Sequence, residues 1–202
     1  MHAPRPRPTA LIDFRSPDNG AAPLRLAFGV PREVLRATTP AQIAPLLARV
    51  DALARAGAWC VGYLRYEAAS AFDAAFETHA HDPARPLAAF AVHDQPLENS
   101  EARPESDAAW KLGASDNFDV QWTSGPRRDT FDAAIAEVHR AIADGELYQV
   151  NLTAPLAGTM QGDPLALFAA LRRAQPNAYA AFLDFDDAHA ILVAVEHVGK
   201  AE

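Results

Sequence analysis

The chain carries a single cysteine, Cys60, in 202 residues. A lone thiol excludes an intramolecular disulfide framework and any zinc site built from several cysteines, and it fits a reducing compartment. No stretch approaches the ~18 consecutive apolar residues of a membrane-spanning helix. The start, Met1 to Pro8, is basic and proline-rich, and no apolar core of a secretory leader follows it. A soluble, cytoplasmic protein is the expectation. Basic charge is also short: 18 Lys and Arg face 26 Asp and Glu, a formal balance of -8. Diffuse acidity disfavours nucleic acid and anionic membranes as general partners, though a small anionic substrate needs only a locally basic pocket. Self-contained catalytic signatures are missing as well. There is no glycine-rich phosphate loop, no G-x-S-x-G elbow and no H-E-x-x-H.

Half the residues are hydrophobic and 22% are charged, enough apolar surface for a sizeable core. Alternating prolines make residues 1–8 a flexible tail. Residues 9–14 and 24–28 are expected strands on either side of the turn signal at residues 16–20. Ile43, Leu46, Leu47, Val50, Leu53 and Ala54 recur at helical spacing. Thr39 is the candidate cap, Pro40 the first helical position and Gly57 the stop, with Pro45 pushing the start towards Ala44. Residues 58–66 are apolar on both faces, which suggests a central strand. A helical turn over 67–76 and a strand over 87–93 complete a first α/β segment, residues 9–95.

Residues 96–126 form a linker-like connector with one possible strand over 118–122. A second region, 127–192, opens with a helix capped by Asp129 or Thr130. Its stripe is Phe131, Ile135, Val138 and Ile142, and Gly145 ends it. An alternating strand is expected over 147–156. A helix from Asp163-Pro164 then buries Leu167, Phe168 and Leu171, and strands at 179–185 and 190–195 flank the Asp186-Asp187 turn. Residues 193–202 are an atypical end.

Few side chains offer chemistry of their own. His79 and His81 flank an acidic loop with no third ligand at a useful spacing, so they read as loop histidines and no metal site is expected. Cys60 lies inside an apolar strand, where a thiol is packing material. Glu67 stands at a strand-to-helix junction and suits a capping role. The densest polar cluster runs from Gly145 to Thr153. On a strand, Tyr148, Val150 and Leu152 would share a core face while Gln149, Asn151 and Thr153 share the other. That polar row could line a pocket or form an outer sheet face.

Three stretches carry a resemblance. Residues 142–153, I-A-D-G-E-L-Y-Q-V-N-L-T, resemble the helix–glycine–strand motif of aminodeoxychorismate synthase component I. Residues 62–73, G-Y-L-R-Y-E-A-A-S-A-F-D, resemble that family's Y-E-A-A-x-x-F-D stretch, and Gln175-Pro176-Asn177-Ala178-Tyr179 resembles its P-x-x-Y segment. Asn151 tips the likeness towards this branch, because the sister anthranilate synthase component I more often has a second valine there.

The resemblance implies an α+β fold, the first part of a largely antiparallel two-sheet sandwich with surrounding helices. It also implies a family that aminates chorismate to 4-amino-4-deoxychorismate, a folate precursor, using magnesium and ammonia from a glutamine amidotransferase. Ligand-pocket candidates are then Tyr148, Gln149 and Asn151, with Pro176 and Tyr179 near the tryptophan pocket of the wider family. Past Leu192 the likeness fades, before the family's catalytic lysine and magnesium-binding glutamates. An N-terminal portion is therefore expected: no catalytic residue, no metal site and no cofactor of its own, inactive alone, and prone to self-association through exposed sheet edges. The alternatives are a fragment like anthranilate synthase component I, or a stand-alone tryptophan-binding or interaction module.

Overall fold

Short β-branched and aromatic runs bounded by turn residues make strands, which need partners to satisfy their backbone. The computed structural model describes residues 7–14, 24–97, 118–175 and 179–185, and the backbone of 189–194. Its secondary structure is mixed, with helices and antiparallel strands in several small open sheets, an α+β fold. The chain divides into two compact units, Met1–Ala114 with Leu167–Glu202, and Ser115–Ala166.

In the first unit, β1 (Ala10–Phe14) pairs with β2 (Leu24–Phe28) and, on its other side, with β8 (Tyr179–Asp184), which pairs with β9 (His189–Ala194). The order of this sheet is β2-β1-β8-β9. A second sheet, β3-β5-β4, is formed by β3 (Glu33–Ala37), β5 (Ala88–His93) and β4 (Trp59–Leu64). Period-two alternation sends Ala10, Ile12, Leu26, Phe28, Ala181 and Leu183 to one face of the first sheet. There they share a core with Ala89 and Ala91 of β5 and with Phe185. The β5 side of that core is alanine, so its bulk comes from the opposing sheet.

The other face of the second sheet is covered by α1 (Ile43–Arg55), whose Ile43 and Leu46 pack with Ala37, Ala68, Leu87 and Ala88. A 3-10 turn over Pro40–Gln42 precedes α1, and the Gln42 side-chain oxygen accepts the Thr38 and Thr39 backbone N–H groups at 2.8 and 3.1 Å. The helix starts at Ile43 rather than Ala44. Pro45 is tolerated because it falls in the first turn, where its missing N–H has no intrahelical acceptor. Gly57 ends the helix with φ 93°. On the outer face of the first sheet, Phe168 of α3 (Pro164–Ala174) is buried against Phe182, ring centroids 5.9 Å apart.

The second unit is spare. β6 (Phe118–Ser124) pairs with β7 (Ala157–Gly162), with a register irregularity between Trp122 and Ser124. α2 (Arg128–Ala143) ends in a Schellman motif: Glu146 N–H bonds Ala141 O at 2.9 Å, Gly145 N–H bonds Ile142 O at 3.1 Å, and Gly145 takes φ 75°. Among the described residues no helix is long and apolar enough to cross a membrane.

Several expectations are corrected. β4 is an edge strand, and β5 is the central one. β4 is apolar on both faces because α1 covers one and the inter-sheet core the other; that pattern counts covered faces, not neighbouring strands. Residues 147–156 form no strand; they run irregularly and exposed, since alternation needs a partner before it becomes a ladder. α2 is capped at Arg127, not Asp129 or Thr130: the Arg127 guanidinium grips the Asp129 carboxylate at 2.9 and 3.1 Å. Leu171 is exposed on α3 while Phe168 is buried. The turn after β4 is a 3-10 helix over Tyr66–Ala71 and goes no further. Pro8, expected in the tail, is fully buried. The 16–20 turn, the Asp186-Asp187 turn and residues 195–202 lie outside the described residues. β3 and β7 have no counterpart among the expected strands.

Candidate functional site

The motif expected to carry function begins where α2 stops. The Schellman turn at Gly145 releases residues 147–156 into solvent, and Tyr148 is 95% exposed. Gln149 and Asn151 are exposed too. Val150 and Leu152, expected beside Tyr148 on a core face, are likewise exposed. Without a ladder there is no alternation of faces, so the predicted apolar side never forms. The segment thus presents a phenol and two amides to water. Such groups gain only ~0.5–1.5 kcal/mol from a typical hydrogen bond, because water already satisfies them. Tight recognition of a small ligand needs a second surface to enclose it.

Tyr179 belongs to the other unit, at the start of β8. It is half-buried and meets the Phe14 ring edge-on, centroids 5.7 Å apart and planes at 62°. That contact is ordinary aromatic packing at the rim of the inter-sheet core. Pro176 lies outside the described residues. Tyr148, Gln149 and Asn151 sit together in one segment; Tyr179 stands in a different unit.

The structure adds a group that the strand pattern concealed. Asp13, buried on β1, accepts a hydrogen bond from Arg25 Nε at 2.9 Å and another from Arg172 Nε of α3. All three side chains are largely enclosed. A carboxylate inside an apolar strand was the available signal, since a buried charge requires a partner. This cluster ties α3 to the outer face of the first sheet.

The remaining candidates have structural duties. Glu67 stands in the first turn of the Tyr66–Ala71 3-10 helix, where its charge suits the helix terminus, and it accepts a hydrogen bond from Arg65 Nη2 at 2.8 Å. The Cys60 thiol points towards Val50 O at 3.8 Å, and burial pushes its pKa up, partly offset by Arg32. A raised pKa keeps it protonated and poorly nucleophilic. His79 is exposed and His81 half-buried. Magnesium, implied by the resemblance for the complete family member, is not fitted by the described residues, among which no three His, Cys, Asp or Glu side chains gather closely enough to hold a metal ion.

Comparison with known proteins gives one result of substance. The family model described as chorismate binding enzyme matches residues 25–196. No curated protein and no solved structure matches the chain.

Proposed function

The chain belongs to the chorismate binding enzyme family, and from that premise we propose that it is a portion of the aminodeoxychorismate synthase component I branch. That branch forms 4-amino-4-deoxychorismate, the precursor of p-aminobenzoate for folate, with magnesium and an amidotransferase that supplies ammonia. The observation that carries this reading is the Tyr148-Gln149-Val150-Asn151-Leu152 segment, which stands open to solvent directly after α2. Asn151 distinguishes the branch. A valine would offer no donor or acceptor, whereas an amide can fix a polar substrate once another surface covers it.

By itself this chain does not turn over chorismate. The chemistry needs a divalent ion to hold the substrate carboxylate and assist loss of the hydroxyl group, and the described residues do not fit one. The purified chain, given chorismate, magnesium and ammonium, is expected to yield neither 4-amino-4-deoxychorismate nor anthranilate; steady product formation overturns the inactivity. The branch is tested by fusing the chain to the catalytic part of either enzyme. Rescue of p-aminobenzoate auxotrophy supports the assignment, and a chimera that restores only anthranilate synthesis refutes it. Titration with tryptophan tests the module alternative, with no heat expected up to millimolar ligand.

Exposed Trp122, Leu147, Leu152 and Leu156 in the second unit, and Trp59 and Leu64 on edge strand β4, give this chain surfaces that favour self-association. Gel filtration coupled to light scattering is expected to find species above 21.7 kDa whose size grows with concentration. A monomer throughout removes this property.

A further inference from the structure

His93, the last residue of β5, has no part in the reading above. It is 4% exposed, and its Nε2 is sealed from solvent without a hydrogen-bond partner. The imidazole lies against Phe28, with ring centroids 4.9 Å apart and planes at 34°. Phe28 is on β2 of the first sheet and His93 on β5 of the second, so this contact crosses between the sheets. Trp59, opposite His93 on β4, also packs on Phe28 at 5.7 Å.

The charged groups around it are engaged elsewhere. Asp94, the next residue, is exposed and paired with Arg32 at 2.5 Å. Glu33 on β3, opposite Val92, is paired with Arg49 at 2.9 Å. Cys60 on β4, also opposite Val92, is a protonated thiol, and β2 presents the Phe28 ring.

We propose that His93 is an acid-sensitive contact between the two sheets: the folded chain holds it neutral, and protonation destabilises the sandwich through it. An imidazolium there would bury a charge whose neighbour in sequence, the Asp94 carboxylate, is committed to Arg32, and buried unpaired charge is costly. Burial pushes the imidazole below its usual value, with Asp94 only partly opposing. The sign follows from linkage. A folded pKa below the unfolded one leaves stability intact above the unfolded value of ~6.5. As pH falls below it, the unfolded chain takes up a proton that the folded chain refuses, and stability declines until the folded pKa is reached.

The test is urea unfolding of the full chain at pH 7.5 and 5.5, for wild type, His93→Phe and His93→Gln. The unfolding constant of the wild type is expected to rise more between these pH values than that of either variant, by up to about tenfold. The other six histidines are common to all three proteins and cancel. Equal pH dependence in wild type and variants overturns the proposal. Should the variants fail to fold, imidazole NMR of the wild type decides: the His93 ring is expected to take up its proton only at a pH below that of a free imidazole, and a His93 that protonates as a free imidazole does refutes it.

Discussion

In the unit Met1–Ala114 with Leu167–Glu202, the side chains of Leu11, Phe28, Ile43, Phe168 and Phe182 are wholly enclosed. Among the described residues of Ser115–Ala166, the buried hydrophobic ones are Ala141, Leu165 and Ala166, while Trp122, Phe131, Ile142, Leu147 and Leu156 face water. The first unit has two sheets with a common core and helices on both outer faces. The second has a two-stranded ribbon, a helix with an open apolar stripe and an irregular segment. Yet the second contains the segment on which the proposed branch assignment rests. Core and motif are separate resources here, and mutations divide accordingly.

The largest contrast is expected between Phe182→Ala and Phe131→Ala. Phe182 lies on β8 between Phe168 and the sheet, fully buried, so truncation leaves a cavity and costs ~3–5 kcal/mol. Phe131 is already 42% exposed, and its loss should cost under ~1 kcal/mol. Urea unfolding monitored by circular dichroism measures both. Equal losses would mean that the second unit hides a core, and the comparison would fail.

Next in size is Asp13→Asn. The amide keeps the shape but removes the charge that Arg25 and Arg172 share, leaving two enclosed guanidinium groups facing a neutral oxygen. Breaking such a cluster costs about 3 kcal/mol. Because Arg172 comes from α3, the loss should also loosen that helix, seen as faster amide hydrogen exchange over its last turn. Unchanged stability would reduce the cluster to surface decoration. An ordinary exposed ion pair, Arg55 with Asp51, serves as the control and should shift stability by less than ~1 kcal/mol.

The same contrast between covered and open surfaces decides which elements a sequence pattern reveals. α1 is legible because one stripe of it is buried and the period of the pattern says which, and β1, β2 and β5 are legible as short, mostly apolar runs largely buried on both faces. The turn chemistry of Thr39, Pro40, Gly57 and Gly145 is legible because caps and positive φ are local. β3 escapes because Glu33 and Arg36 place a charge on each of its two faces, and β7, with its glycines, has little strand propensity. The place of β4 in its sheet and the fate of 147–156 are not legible. Both depend on which edges find partners, and a strand's own sequence does not record that. The Asp13 cluster joins residues 159 positions apart, so only its buried carboxylate hints at it.

The smallest stability effect tests the motif itself. Tyr148→Ala and Asn151→Ala alter side chains that touch little, so each should change stability by less than ~0.5 kcal/mol. A core strand would not tolerate both. Within a chimera that makes 4-amino-4-deoxychorismate, the same substitutions should lower turnover or raise the apparent chorismate requirement. If a second surface encloses the segment there, as the proposed function requires, a lost hydrogen bond leaves a partner unpaired at a cost of about 1–3 kcal/mol, roughly a five- to hundred-fold effect. If Asn151→Ala is silent in both settings, the amide has no recognition role and the branch assignment loses its main support. If it destabilises the isolated chain instead, the segment is packed in solution, and the division between a folding unit and an open motif no longer holds.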